Sequence, residues 1–173
     1  RGSEEYHNVF GKVDIITGTF GKSLGGAGGG FVAGRKSVVD MCVQRSRPHL
    51  FSNSLPPVLA AIANEALNYI RSNPKVIENL HKKTVYFRNK LKDAGLNPIE
   101  GDSAIIPIII GDTAKAISIT DEMLKKGVYA TGFGYPVVPE GTARIRIQTS
   151  DALTYEDIDY AVKVVKECID LIL

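Results

Sequence analysis

The stretch Thr19-Phe20-Gly21-Lys22-Ser23-Leu24-Gly25-Gly26 sets one lysine among small residues after the apolar run Val13-Asp14-Ile15-Ile16. The mouth of a buried strand is a poor place for a hydrated charge, and burial lowers an amine's pKa toward its neutral, nucleophilic form. Lys22 is therefore a candidate Schiff-base former. Two phosphate-binding readings compete for the same segment. Gly21-Lys22-Ser23 completes the end of an NTPase loop, Gly-x-x-x-x-Gly-Lys-Ser/Thr, but Ile16 stands where its first glycine belongs. Gly28-x-Gly30-x-x-Ala33 fits the letters of a dinucleotide fingerprint, yet it follows a loop, and Phe31-Val32-Ala33 reads as a strand where that motif needs a helix. A glycine-rich turn with an incidental lysine is the plain alternative for Gly25 to Gly30.

Outward from the lysine, short apolar strands alternate with glycine turns. Strands are expected over Val13 to Thr17 and Gly30 to Gly34, then a helix from near Arg35 toward Arg45, a pattern of parallel-sheet type. Pro48 is expected to end that helix, and Phe51 to Ser54 to form a polar loop. Pro56 and Pro57 can open a helix over Val58 to Ile70. Asn73-Pro74 reads as an N-cap and first turn, with Ile77, Leu80, Thr84, Phe87 and Leu91 on one face of the next helix, closed by Asp93-Ala94-Gly95. Ala104 to Ile110 reads as a buried strand, Thr113 to Lys126 as an amphipathic helix, and Val128 to Thr131 and Ile145 to Gln148 as short strands. Thr154-x-x-Asp157 resembles a capping box, opening a last helix striped by Ile158, Val162, Val165, Ile169 and Ile172.

The 173 residues are 44% hydrophobic and carry a formal charge of +2, enough for a sizeable core and too little charge for a nucleic-acid or membrane surface. Pairs such as Lys82-Lys83 and Lys125-Lys126 read as solvated helix faces. Cys42 and Cys168 have no metal-ligand or CxxC spacing, so they read as reduced thiols in a reducing compartment, the cytoplasm or alternatively the mitochondrial matrix. No signal peptide, membrane span or metal-ligand set is read in the chain. Arg144 and Arg146 lie two apart in a strand and share a face, opposite Ile145 and Ile147. A guanidinium there can clamp a carboxylate with two charge-assisted bonds, whereas a strand arginine is more commonly a surface residue. Ser52-Asn53-Ser54 before a proline-led helix is by itself an ordinary capping arrangement.

Thr19-x-x-Lys22, then Gln44 through Pro57 with its core Phe51-Ser52-Asn53-Ser54-Leu55-Pro56-Pro57, then Gly134-Tyr135-Pro136-Val137-Val138-Pro139 and Ala143-Arg144-Ile145-Arg146, occur in that order. Together they resemble the C-terminal part of the pyridoxal-phosphate-dependent α-oxoamine synthases, over nearly the whole chain. The resemblance implies an α/β fold of the PLP-dependent transferase type (fold type I). Residues 1–55 would form the C-terminal end of the large PLP-binding domain and its sheet, and residues 56–173 the small C-terminal α/β domain. It implies pyridoxal 5'-phosphate as cofactor, Lys22 as its covalent anchor and the catalytic base, and Thr19 as a phosphate ligand. Ser52 and Asn53 would reach the partner subunit's phosphate site in a homodimer with shared active sites, and Arg146 would bind the substrate carboxylate. Within the family, the Phe-Ser-Asn-Ser-Leu-Pro-Pro and Tyr-Pro-Val-Val-Pro segments favour the member that condenses glycine with acetyl-CoA in threonine and glycine metabolism. Its rival is the sister that joins alanine to a longer acyl-CoA. His49 stands where the family commonly has tyrosine, and Leu153 where it has a histidine, so neither is given a role. Family members are more than twice as long, which implies a C-terminal fragment, inactive alone. A non-catalytic folding or dimerisation module, and an NTPase, are the readings of other classes.

Overall fold

The computed structural model describes residues 2–24 and 28–173, so Arg1, Gly25, Gly26 and Ala27 lie outside the described residues and the expected glycine turn is described only from Gly28. The chain divides into two compact units, Arg1–Asn73 and Pro74–Leu173. The boundary expected from the sequence, between residues 55 and 56, falls one helix earlier.

In the first unit, α1 (Ser3–Tyr6) precedes β1 (Ile15–Thr19) and β2 (Gly30–Gly34), followed by α2 (Lys36–Arg45), α3 (Arg47–Phe51) and α4 (Pro57–Ser72). The parallel pairing expected here is corrected. β1 and β2 run antiparallel, with Ile15 opposite Gly34 and Thr19 opposite Gly30. Only ten residues separate them in sequence, and a parallel return needs a crossover of a dozen or more. Pro48 does not end α2 but sits in the first turn of α3, where its missing N–H costs nothing. Asn73 closes α4 rather than opening a helix, its side-chain amide donating to the Tyr69 carbonyl at 2.9 Å. Among the described residues of this unit Ala63 is the one buried apolar residue, while Ile15, Ile16, Val32, Met41 and Phe51 are exposed.

In the second unit, α5 (Lys75–Asp93), β3 (Ile105–Gly111), α6 (Thr113–Lys125), β4 (Thr131–Phe133), β5 (Ala143–Gln148) and α7 (Tyr155–Ile172) build a helical layer on one face of an antiparallel sheet of order β3-β5-β4. Alternation in β3 and β5 sends Ile106, Ile108, Ile145 and Ile147 into the core, where they meet Phe87 and Leu91 of α5, Ile119 and Met123 of α6, and Ile158, Val165, Cys168 and Ile169 of α7. Burying each such side chain stabilises the fold by roughly 1.5–3 kcal/mol. β3 is buried on that face alone. Ile105 and Ile109 remain exposed, so its unbroken isoleucine run reads from sequence as more deeply buried than it is. The capping box of α7 forms as expected, Thr154 accepting from the Asp157 N–H at 3.1 Å and Asp157 from the Thr154 N–H at 2.8 Å. β4 starts three residues later than expected because Val128 is used to end α6, its N–H bonding back to the Met123 carbonyl past Gly127.

Candidate active site

Lys22 projects from the loop between β1 and β2 and is exposed in this chain, against the expectation of burial at a strand mouth. The strands of the ribbon beneath it are mostly exposed, with Phe31 and Val32 facing Val39, Cys42 and Val43 of α2 across a cleft. Among the described residues Lys22 has no hydrogen-bond or ion-pair partner. The loop itself is pinned. The Phe20 N–H donates to the Gly29 carbonyl at 2.9 Å. Thr19 Oγ1 donates to that same carbonyl at 3.3 Å and accepts from the Gly21 N–H at 3.1 Å. Thr19 thus fixes the first turn after β1 with the hydroxyl that a phosphate would also use.

Ser52 and Asn53 lie in the exposed connection between α3 and α4. Neither caps α4, whose N-cap is Pro56 without a side-chain hydrogen bond, so the ordinary capping role does not occupy them. Leu55, just beyond, ties this segment to the lysine loop: a Cβ on Gly29 would stand 2.5 Å from Leu55 Cδ1, and Gly29 has a φ of +84°. Only glycine meets both demands at that position. The sequence-predicted residues Lys22, Thr19, Ser52 and Asn53 therefore belong to neighbouring segments of one unit.

Arg146 belongs to the other unit. It lies on the solvent face of β5, which it shares with Arg144, while Ile145 and Ile147 are buried, as the alternation implies. The two arginines differ. Arg144 is tied down locally, its Nε donating to the Thr142 carbonyl at 3.1 Å and Nη2 to Thr142 Oγ1 at 3.2 Å. Arg146 has no hydrogen-bond or ion-pair partner among the described residues, and its guanidinium lies 4.5 Å from the ring centre of Phe133. It borders a cleft with Tyr129, Thr131, Gln148 and Ser150. Sequence reasoning missed these neighbours, although the two-residue period already puts Gln148 on the face of Arg146. In the first unit the groups present, the unpartnered Lys22 amine and the Thr19 hydroxyl on the same loop, fit an aldehyde-bearing phosphate ester; the described residues offer no cluster able to hold a metal ion.

The fold, an antiparallel ribbon in one unit and a two-layer α/β sandwich in the other, is that of the PLP-dependent transferases. The family model for aminotransferase class I and II matches residues 2–165, and the chain belongs to that family. It is similar to 2-amino-3-ketobutyrate coenzyme A ligase of Escherichia coli (strain K12), 48% identical over 94% of this chain and 41% of that protein. The mitochondrial protein of the same name from Mus musculus is 44% identical over 94% of this chain and 39% of its own length. An 8-amino-7-oxononanoate synthase of Thermoanaerobacter pseudethanolicus is 37% identical over 94% and 41%. Among solved structures, SPT with a PLP internal aldimine matches with a TM-score of 0.92 and 26% identity, over 99% of this chain and 44% of that one. Serine palmitoyltransferase of Sphingomonas wittichii matches with a TM-score of 0.90 and 26% identity, over 100% and 44%. The chain spans about two fifths of the length of these curated relatives.

Proposed function

We propose that this chain is the C-terminal part of a PLP-dependent acyltransferase that condenses glycine with acetyl-CoA to 2-amino-3-oxobutyrate and CoA. The observation that carries the reading is that Lys22, on its pinned loop, and Arg146, on β5, each lack a hydrogen-bond or ion-pair partner among the described residues. The 48% identity to a protein named for 2-amino-3-ketobutyrate supports the glycine and acetyl pairing over the longer-chain sister. Bound pyridoxal phosphate supplies an aldehyde that takes up an amine and a ring that draws electrons from the bond being broken. Lys22 Nζ would hold the cofactor's aldehyde, and when free the same amine would accept the proton from the glycine α-carbon. Thr19 Oγ1, which donates to the Gly29 carbonyl at 3.3 Å, would help hold the cofactor's phosphate. Arg146 grips the glycine carboxylate with parallel N–H donors.

Turnover falls to this assignment only in the complete enzyme. The chain spans about two fifths of the length of its curated relatives, so the ring-nitrogen partner is assigned to the rest of the protein, and the 173-residue chain alone is inactive. In the complete enzyme, Lys22→Ala lowers CoA release from acetyl-CoA and glycine by at least about a thousandfold, the order expected for losing a combined base and anchor; a variant turning over normally would refute the role of Lys22. Product analysis with glycine and alanine against acyl-CoAs of several lengths separates the two sister activities.

Ser52 and Asn53 serve the phosphate site of the partner subunit in a homodimer. Mixing Lys22→Ala subunits with Ser52→Ala/Asn53→Ala subunits then restores activity, because one site of each mixed dimer carries both lesions and the other neither. No recovery on exchange of subunits would place the two residues in their own subunit's site. The protein works in a reducing compartment, the cytoplasm or the mitochondrial matrix, in line with the two free thiols; among the described residues no helix is long and apolar enough to cross a membrane.

A further inference from the structure

We propose that Phe133 is a positioning residue that holds the Arg146 guanidinium flat, so that its N–H edge stays open to the substrate carboxylate; this rests on the carboxylate role given to Arg146 above. Phe133 sits between two glycines, and both are there because of the helix behind the strand. A Cβ on Gly132 would come within 3.0 Å of the Ala116 carbonyl oxygen and 3.1 Å of Thr120 Oγ1, and one on Gly134 within 2.2 Å of Thr113 Cγ2. The two glycines let β4 lie hard against α6. Alternation along the strand then turns the intervening Phe133 to the opposite, solvent face.

On that face Phe133 pairs in register with Arg144, and Thr131 pairs with Arg146, so the ring reaches Arg146 along the diagonal. The guanidinium lies 4.5 Å from the ring centre. A stacked ring uses the face of a guanidinium and leaves its in-plane donors unspent. Those donors are unpaired among the described residues, unlike those of Arg144, which are consumed by Thr142. Tyr129 and Gln148 stand beside the same cleft and make no competing charge for Arg146. A long flexible side chain that would otherwise sample many rotamers is thereby restricted before the substrate arrives, and preorganisation of this kind improves ground-state binding.

Two measurements test this. In the 173-residue chain, proton NMR places the Arg146 side-chain resonances upfield through the ring current of Phe133, and Phe133→Leu returns them to ordinary positions while Phe133→Tyr does not. In the complete enzyme, Phe133→Leu raises KM for glycine about three- to tenfold with kcat within about twofold, the split expected for lost uniform binding, and Phe133→Tyr restores it. An unchanged KM in Phe133→Leu, with a raised KM in Arg146→Ala, overturns the role of Phe133 and leaves the carboxylate reading standing. An unchanged KM in Arg146→Ala, or a wild-type enzyme that releases no CoA with glycine, overturns both.

Discussion

Arg88 is buried, and the hydrogen bonds of its Nη1 and Nη2 go to backbone carbonyls. Its Nη1 donates to the Ile99 carbonyl at 2.6 Å, and its Nη2 to those of Ser103 and Ile105 at 2.9 and 2.8 Å. One planar cation thus fastens the connection leading into β3, a task that nothing in the sequence of α5 announces. Asp157 shows the opposite case, a role visible in the letters. The Thr154 backbone N–H first, and its hydroxyl second, hold the Asp157 carboxyl below its ordinary value. A carboxyl depressed in the folded state contributes stability above its unfolded pKa of about 4, and that contribution is lost as pH falls through the folded value. Asp157→Asn should therefore be less stable than the parent at pH 7, with the gap in urea midpoint closing below pH 4. A gap that persists into strong acid would mean that charge is not the cause.

β4 is three residues long and owes its place to its contacts with α6. Gly134→Ala would drive a Cβ into Thr113, a β-branched residue in the first turn of α6 that has no rotamer free of the clash at its own Cβ, 2.7 Å away. The expected loss is about 1–3 kcal/mol in chemical denaturation, the cost of overpacking. Gly95→Ala, where a Cβ would meet nothing within 4 Å but φ is +77°, isolates the smaller cost of backbone strain alone. Equal losses at the two positions would argue against close packing as the reason for Gly134. Other elements follow a similar rule: where a residue has a local partner, as in the capping box or the Pro57 start of α4, the sequence was sufficient. Where a residue is claimed by the preceding element, as with Asn73 and Val128, the local pattern pointed to the wrong helix or strand.

The two units differ in what they bury. The second has a continuous apolar core, whereas the described residues of the first bury one apolar side chain, Ala63, and expose Ile15, Ile16, Met41 and Phe51. Exposed apolar surface of that extent marks a face made to be covered, as the short span of this chain against its relatives also implies. The two thiols report the contrast. Cys168 is fully buried in the second unit, and burial pushes its thiol up from its ordinary value, while Cys42 in the first is only half-buried. Brief iodoacetamide treatment of the native chain, read by mass spectrometry, should label Cys42 and spare Cys168 until denaturant is added. Equal labelling of both would show that the second core opens as readily as the first unit.

The sequence alone determined the helices of the second unit and the face shared by Arg144 and Arg146, because those depend on spacing along one helix or strand, and the order of its motifs carried the resemblance to the family. Only the tertiary structure decided the antiparallel sense of β1 and β2, the exposure of Lys22, and the ring of Phe133 against Arg146. Each of these depends on which surfaces meet, and the free energy of meeting surfaces is set by partners distant in sequence that no local period records.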